Sequence, residues 1–276
     1  MFINRIKRQK NIIKFLVSRI LWHSGLCRLF TIEFNSRIKI RFYPTAGSAS
    51  FWVEPYSCID EELFITNYLQ EGDTFIDVGA NIGYITLTAA KKIGNAGQVI
   101  SIEPHPKTFS FLKRNIAFNK FNNIKTYNVA IGNESGRVSF TNSKSDEQNF
   151  ITKAGPVEVQ IKKLDEIFQG EHVDFLKIDT EGYELFVLEG AQEVLKKVKV
   201  IYLEVYQVHF DRYNYDSKKI LSFLTALNFK IYTFQSAKTL KEIDYSSDTC
   251  LNKFENIVAI KDIEFFKSRL PEYQIL

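Results

Sequence analysis

The chain has 276 residues, of which 45% are hydrophobic and 14% aromatic, including 24 Phe and 13 Tyr. That supports a large buried core in one big domain or two small ones and excludes a disordered or collagenous chain. Its cysteines, Cys27, Cys58 and Cys250, are odd in number and widely spaced, with no CxxC; this excludes a disulfide scaffold or zinc ribbon and fits a reducing, cytoplasmic compartment. The net charge of +4 is unevenly placed: residues 1–41 carry ten Lys/Arg and one acid, and 26 basic and 31 acidic residues follow. The basic balance therefore belongs to the N-terminal segment, and no nucleic-acid partner is expected for the body.

Residues 2–22 place Phe2, Ile6, Ile13, Leu16, Val17, Ile20 and Leu21 near helical spacing, with Lys7, Arg8, Lys10, Lys14 and Arg19 opposite. Arg19 interrupts the apolar run, so no span of about 20 apolar residues exists, and there is no signal-peptide cleavage pattern. Two readings stand: an interfacial helix drawn to anionic lipid, or a helix packed on the domain by its apolar face. Next, Ile32/Phe34 and Ile38/Ile40/Phe42 alternate about Asn35-Ser36, which predicts a β-hairpin covering one end of the following domain.

The pattern changes at residue 60, dividing a basic extension, 1–59, from an α/β domain, 60–276. Strands are expected at Thr74–Val78, Gln98–Glu103, Lys125–Val129, Val173–Asp179, Val198–Val205, Lys230–Phe234 and Ile257–Ile260. Asp60-Glu61-Glu62 begins a helix and Gly72 lies past its end; Ile82–Ile93 is a helix stopped by Gly94. Pro106 starts a helix with Phe109, Leu112 and Ile116 on one face, and Glu184–Lys197 turns Leu185, Leu188, Ala191 and Leu195 inward. Val138/Phe140 and Val157/Val159/Ile161 suggest a small strand pair inserted between Ile131 and Leu164, with a polar surface loop at Thr141–Asn149. Strands alternating with helices imply crossovers and a Rossmann-like, mainly parallel sheet with helices on both faces, binding its ligand at the carboxyl ends of the strands.

The first strand runs into Asp77-Val78-Gly79-Ala80-Asn81-Ile82-Gly83, and the second ends at Glu103. Gly79 and Gly83 permit a tight turn and close backbone approach. An acid at Glu103 is spaced to accept ribose hydroxyls, so the loop reads as a nucleoside site. The G-x-x-x-G spacing is not the G-x-G-x-x-G of a dinucleotide loop, which speaks against a nicotinamide-dependent oxidoreductase, and no GxxxxGK[ST] is present. Asp77 suits a cationic ligand such as S-adenosylmethionine rather than a pyrophosphate. Gly79 alone would equally mark a bare structural turn.

Together GDTFIDVGANIGYITLTAA, VISIEPHP, TFSFLKRNIAFN, NVAIGNESG, LDEIF, VDFLKIDTEGYELFVLEGA and IYLEV resemble the FkbM family of S-adenosylmethionine-dependent methyltransferases, over about residues 60–206. The resemblance implies a class I methyltransferase fold, a seven-stranded sheet whose last strand is antiparallel, and O-methylation, often of sugar hydroxyls. It implies that Asp77, Gly79, Asn81 and Gly83 form the loop at the methionine end, that Glu103 holds the ribose, that Asn128 and Ala130 lie at the adenine edge, and that Asp179 lies beside the reactive methyl. Where many relatives have a His soon after Glu204, this chain has Tyr206 and then His209, which leaves the base open.

Methyl transfer is an in-line displacement in which the cofactor brings its own leaving group. Alignment is worth about 7–11 kcal/mol and a positioned base ~10²–10⁴-fold. Asp179, Glu204 and His209 are the catalytic candidates. Glu181 serves as either a site residue or a helix cap, and Lys177 either flanks the strand or pairs with Asp179 near the acceptor. Asp179, Glu181 and Glu204 could converge on Mg²⁺ or Mn²⁺, but nothing in the spacing demands a metal. The expected protein is an O-methyltransferase for a sugar or glycan-containing metabolite, cytoplasmic or peripheral to a membrane. Methylation of another small molecule, lipid or protein is the alternative, as is a non-catalytic methyltransferase-like module.

Overall fold

The computed structural model describes residues 11–34, 36–143, 149–243 and 255–276. The N-terminal half of the basic segment, residues 1–10, and most of the polar piece at 141–149 lie outside them. Helix α1 (Ile12–Ser24) starts where Asn11 accepts a hydrogen bond from the Lys14 amide and ends at left-handed Gly25. Strands β1 (Thr31–Glu33) and β2 (Lys39–Arg41) form the expected antiparallel hairpin. Alternation buries Ile32, Phe34, Ile38, Ile40 and Phe42. Two asparagines of the later helix α5 (Pro106–Asn119) lock this hairpin down: Asn115 Oδ1 accepts from the Arg41 amide and Asn119 Oδ1 from that of Lys39. Asn115 also donates to the carbonyl of Ile82, so one buried side chain joins the extension to the glycine loop.

A helix not expected from the sequence follows, α2 (Ala46–Val53), capped by Thr45; its Trp52 stacks on Phe42 at 5.2 Å. Helix α3 (Ile59–Tyr68) carries its three acids in the first turn, where they favour the helix dipole.

Among the described residues the main sheet has nine strands. Strands β3 (Thr74–Val78), β4 (Gln98–Ile102) and β5 (Ile124–Tyr127) run outward in one direction. The chain then returns to the other side of β3 with β10 (Val173–Ile178) and β11 (Val198–Val205), all parallel. Strand β14 (Glu255–Ile260) inserts antiparallel between β11 and β12 (Lys230–Ser236). This is the expected seven-stranded class I arrangement with its last strand antiparallel. Two short edge strands, β13 (Thr239–Glu242) and β15 (Gln274–Ile275), extend it. The order reverses between β3 and β10, which makes their carboxyl ends the place for a ligand.

Residues alternate between two cores. Phe75, Phe175, Val200 and Tyr202 pack on one face with the hairpin, α4 (Tyr84–Ile93) and α11 (Ile263–Arg269). Ile76, Leu176, Ile201 and Leu203 pack on the other with α7 (Glu184–Glu189), α8 (Gln192–Lys197) and α10 (Ser217–Ala226). The single helix expected over Glu184–Lys197 is broken at Gly190-Ala191. Asp165, on the short helix α6 (Leu164–Ile167), accepts from the amides of Glu193 and Val194 and so caps a new helix. A Cβ on Gly190 would stand 1.9 Å from the carbonyl oxygen of Gly132.

Among the described residues, the insertion after β5 is a four-stranded sheet rather than a strand pair: β6 (Ala130–Ile131), β7 (Gly136–Phe140), β8 (Ile151–Thr152) and β9 (Val157–Lys162), ordered 6-9-7-8.

Candidate active site

At the carboxyl ends of β3 and β10 two turns meet. The amide of Asp179 donates to the carbonyl of Val78 at 3.0 Å. A Cβ on Gly79 (φ +88) would lie 1.7 Å from the carbonyl oxygen of Asp179, so only glycine fits. Asn81 (φ 49) and Glu181 (φ 57) hold left-handed backbone in these turns without being glycine, a cost tolerated where the geometry is needed. Gly83 (φ +97) stands at the N-terminus of α4, where a Cβ would meet Leu112 at 2.6 Å. It serves packing and is not among the residues that line the cavity.

The cavity, about 870 Å³, opens over both turns and is lined by Asp77, Gly79, Asn81, Glu103 and Ala130 among others. Buried Asp77 accepts a 2.6 Å hydrogen bond from Thr86 on Oδ2, while its Oδ1 has no hydrogen-bond partner among the described residues. Burial raises its pKa against the attraction of Lys177 and the Thr86 hydrogen bond. A buried carboxylate oxygen left unmatched is costly and suits a cationic group entering the cavity. Glu103 accepts from the amides of Asn81 (3.0 Å) and His105 (2.8 Å). Asn128 acts from behind: its Nδ2 donates to the carbonyls of Glu103 and Pro104, bracing that loop, while its neighbours Val129 and Ala130 line the cavity.

Asp179, Glu181 and Glu204 each offer an oxygen within 4.8 Å of the others and could hold a hard divalent cation. All three line the cavity. His209 does not. Its Nδ1 lies 3.3 Å from Glu181 and 3.9 Å from Glu204, in a smaller pocket shared with Glu181 and Arg212. Burial, then the Arg212 charge, lower its pKa below 6.5, with Asp179 pulling the other way. Burial, and then the charges of Asp179, Glu184 and Glu181, push Glu204 well above the usual carboxylate range.

The turn carrying Glu181 is fixed from three sides. Glu184 Oε1 accepts from the Thr180 amide, the Thr180 hydroxyl and the Gly182 amide. Tyr215 donates to the Gly182 carbonyl at 2.7 Å, and Arg212 to that of Glu181.

Two site residues were less legible in the sequence. Lys177 is buried in β10 on the face of Val173 and Phe175, and donates to Asp179 at 3.0 Å, with Glu61 at 3.8 Å. Burial disfavours its charge, but Asp179, Glu61 and Asp77 outweigh that and keep it cationic. Glu61, reaching over from α3, is pushed up to about 7, chiefly by burial. For Lys177 the sequence left two readings, flanking the strand or pairing with Asp179, and the structure shows the pair. Glu61 had no sequence signal beyond an acidic helix start.

Strand order, glycine turn and acid at the second strand define a class I methyltransferase domain that uses S-adenosylmethionine; the unmatched Asp77 oxygen and the space only Gly79 leaves fit that donor. The model of the Methyltransferase FkbM domain matches residues 77–231, more than half of the chain, and the chain belongs to that family. It is 30% identical over 150 residues to Methyltransferase 1 of Beauveria bassiana, covering 44% of this chain and 59% of that protein. It is 28% identical over 142 residues to the hexuronic acid methyltransferase AglP of Haloferax volcanii, covering 50% and 57%. The chain thus matches less than two thirds of the length of these relatives. Among solved structures, the methyltransferase FkbM of Methylobacillus flagellatus aligns with a TM-score of 0.46 at 16% identity, covering 76% of this chain and 52% of that one.

Proposed function

We propose that the protein methylates a hydroxyl of a sugar or sugar-containing acceptor. The observation that carries this reading is the group of Asp179, Glu181 and Glu204 on the cavity wall, backed by His209 behind Glu181. The name of the Haloferax relative, a hexuronic acid methyltransferase, supports a sugar acceptor. The aromatic and polar residues on the rest of the cavity wall, Phe51, Phe234, Gln235 and Asn256, offer the faces and hydrogen bonds that a sugar ring uses.

When bound, S-adenosylmethionine supplies an electrophilic methyl group with its own leaving group. The chain orients and deprotonates. Asp77 and Glu103 hold the donor's polar ends. Lys177 fixes the carboxylate of Asp179. The hydroxyl's proton passes to the pair of Glu181 and His209, whose imidazole is neutral at pH 7.

His209→Ala and Asp179→Asn are expected to lower kcat by about 10²-fold or more with donor affinity nearly unchanged. Because the His209 pKa is depressed, the base form persists into mildly acid solution. The acid limb of the kcat profile should therefore fall below 6.5 and disappear in His209→Ala. Wild-type turnover in both variants would remove these residues from the chemistry.

A further inference from the structure

Helix α1 has a second apolar face that the fold does not use. Phe15 and Ser18 are buried and Trp22 is half-buried on the side packed against α2. Ile13, Leu16, Val17 and Ile20 recur at i, i+3, i+4 and i+7 on the outer side, with Ile13 76% and Ile20 67% exposed. The turn that follows adds Leu29, 77% exposed, and Phe30. Most of the large hydrophobic side chains left exposed among the described residues lie within residues 12–30. Such a concentration of exposed apolar side chains in one segment marks an interaction site.

The same segment is the basic one. Lys14 and Arg28 are exposed there, and residues 1–41 carry ten Lys/Arg against one acid. A second copy of the chain would set this charge against itself. Nucleic acid would satisfy the charge but not the isoleucines. An anionic bilayer satisfies both: apolar side chains enter the boundary between headgroups and acyl chains while Lys and Arg meet the phosphates. Among the described residues no helix is long and apolar enough to cross a membrane, so the contact is peripheral. We propose that α1 and the turn after it are a docking surface for anionic lipid. The surface lies one helix from the cavity, since Gly47 and Phe51 of α2 line it, and the proposal does not depend on which acceptor is methylated.

The test is sedimentation of the full chain with vesicles of phosphatidylcholine alone or mixed with phosphatidylglycerol. The protein should pellet with the mixed vesicles only, less so as salt rises. Ile13→Asp with Ile20→Asp, and separately Lys14→Glu with Arg28→Glu, should each lower the partition coefficient by about tenfold or more. Melting temperature should not change, because all four side chains are exposed. Equal pelleting with both vesicle types, or of variants and wild type, would overturn the proposal. So would a dimer dissociated by Ile13→Asp/Ile20→Asp, or duplex-DNA capture surviving that pair, without vesicle binding.

Discussion

Glu181 shows at single-residue scale how the site and the fold pull against each other. Its backbone sits at φ 57, where a residue with a Cβ pays for a conformation glycine adopts freely, and its carboxylate lies 3.3 Å from His209. Glu181→Gly is expected to leave stability intact or raise it by up to about 1 kcal/mol, while turnover falls at least tenfold. A variant that is destabilised yet fully active would make Glu181 part of the frame instead. Most residues around the donor were legible in the sequence because backbone conformation and spacing dictate them: Asp77, Gly79, Asn81 and Glu103 all line the cavity. Gly83 and Asn128 were legible as special positions, but their work depends on side-chain direction. One makes room for Leu112, and the other braces the Glu103 loop. His209 was found by proximity to Glu204 in sequence, and only the fold shows that it stands behind Glu181.

At the scale of elements, strands β3 and β11 have the bounds that their apolar runs predicted, and Gly94 and Pro106 bound their helices as capping rules require. What the sequence hid was set by tertiary contacts. The split between α7 and α8 comes from Asp165, 28 residues before Glu193. Strands β6, β8 and β15, each of two residues, are too short to carry a period. Helix α7 also shows how a buried acid shapes a turn. Glu184 accepts three hydrogen bonds from Thr180 and Gly182, and burial lifts its pKa to about 7. Glu184→Ala should cost about 2–4 kcal/mol by leaving those donors unmatched, whereas Glu184→Gln keeps an acceptor and should cost under about 1 kcal/mol. The unfolded chain releases this proton at the usual carboxylate pH and the folded chain only near 7. The contribution of Glu184 to stability therefore falls as pH rises between those values, and Glu184→Gln should gain on wild type over that window. Denaturant titrations at both ends would check the sign; a gap between the two proteins that does not change with pH would contradict it.

At the scale of the whole molecule, the extension and the sheet form one body. Hairpin residues share a core with Phe75, Phe175 and Tyr202, and Asn115 links Arg41 to the loop at Ile82. The C-terminal helix closes the opposite end, where Arg269 pairs with buried Asp73. This frame brings Asp77, Glu103, Asp179, Glu181 and Glu204 to the wall of one cavity, and the proposed methyl transfer depends on a methyl donor lying there. Isothermal calorimetry with S-adenosylhomocysteine, the donor's demethylated product, tests that most directly. The account predicts one site per chain in the wild type, with affinity at least about tenfold weaker in Asp77→Asn and in Glu103→Ala, both variants still melting cooperatively. Absence of binding to the folded wild type, or wild-type affinity in both variants, would contradict it.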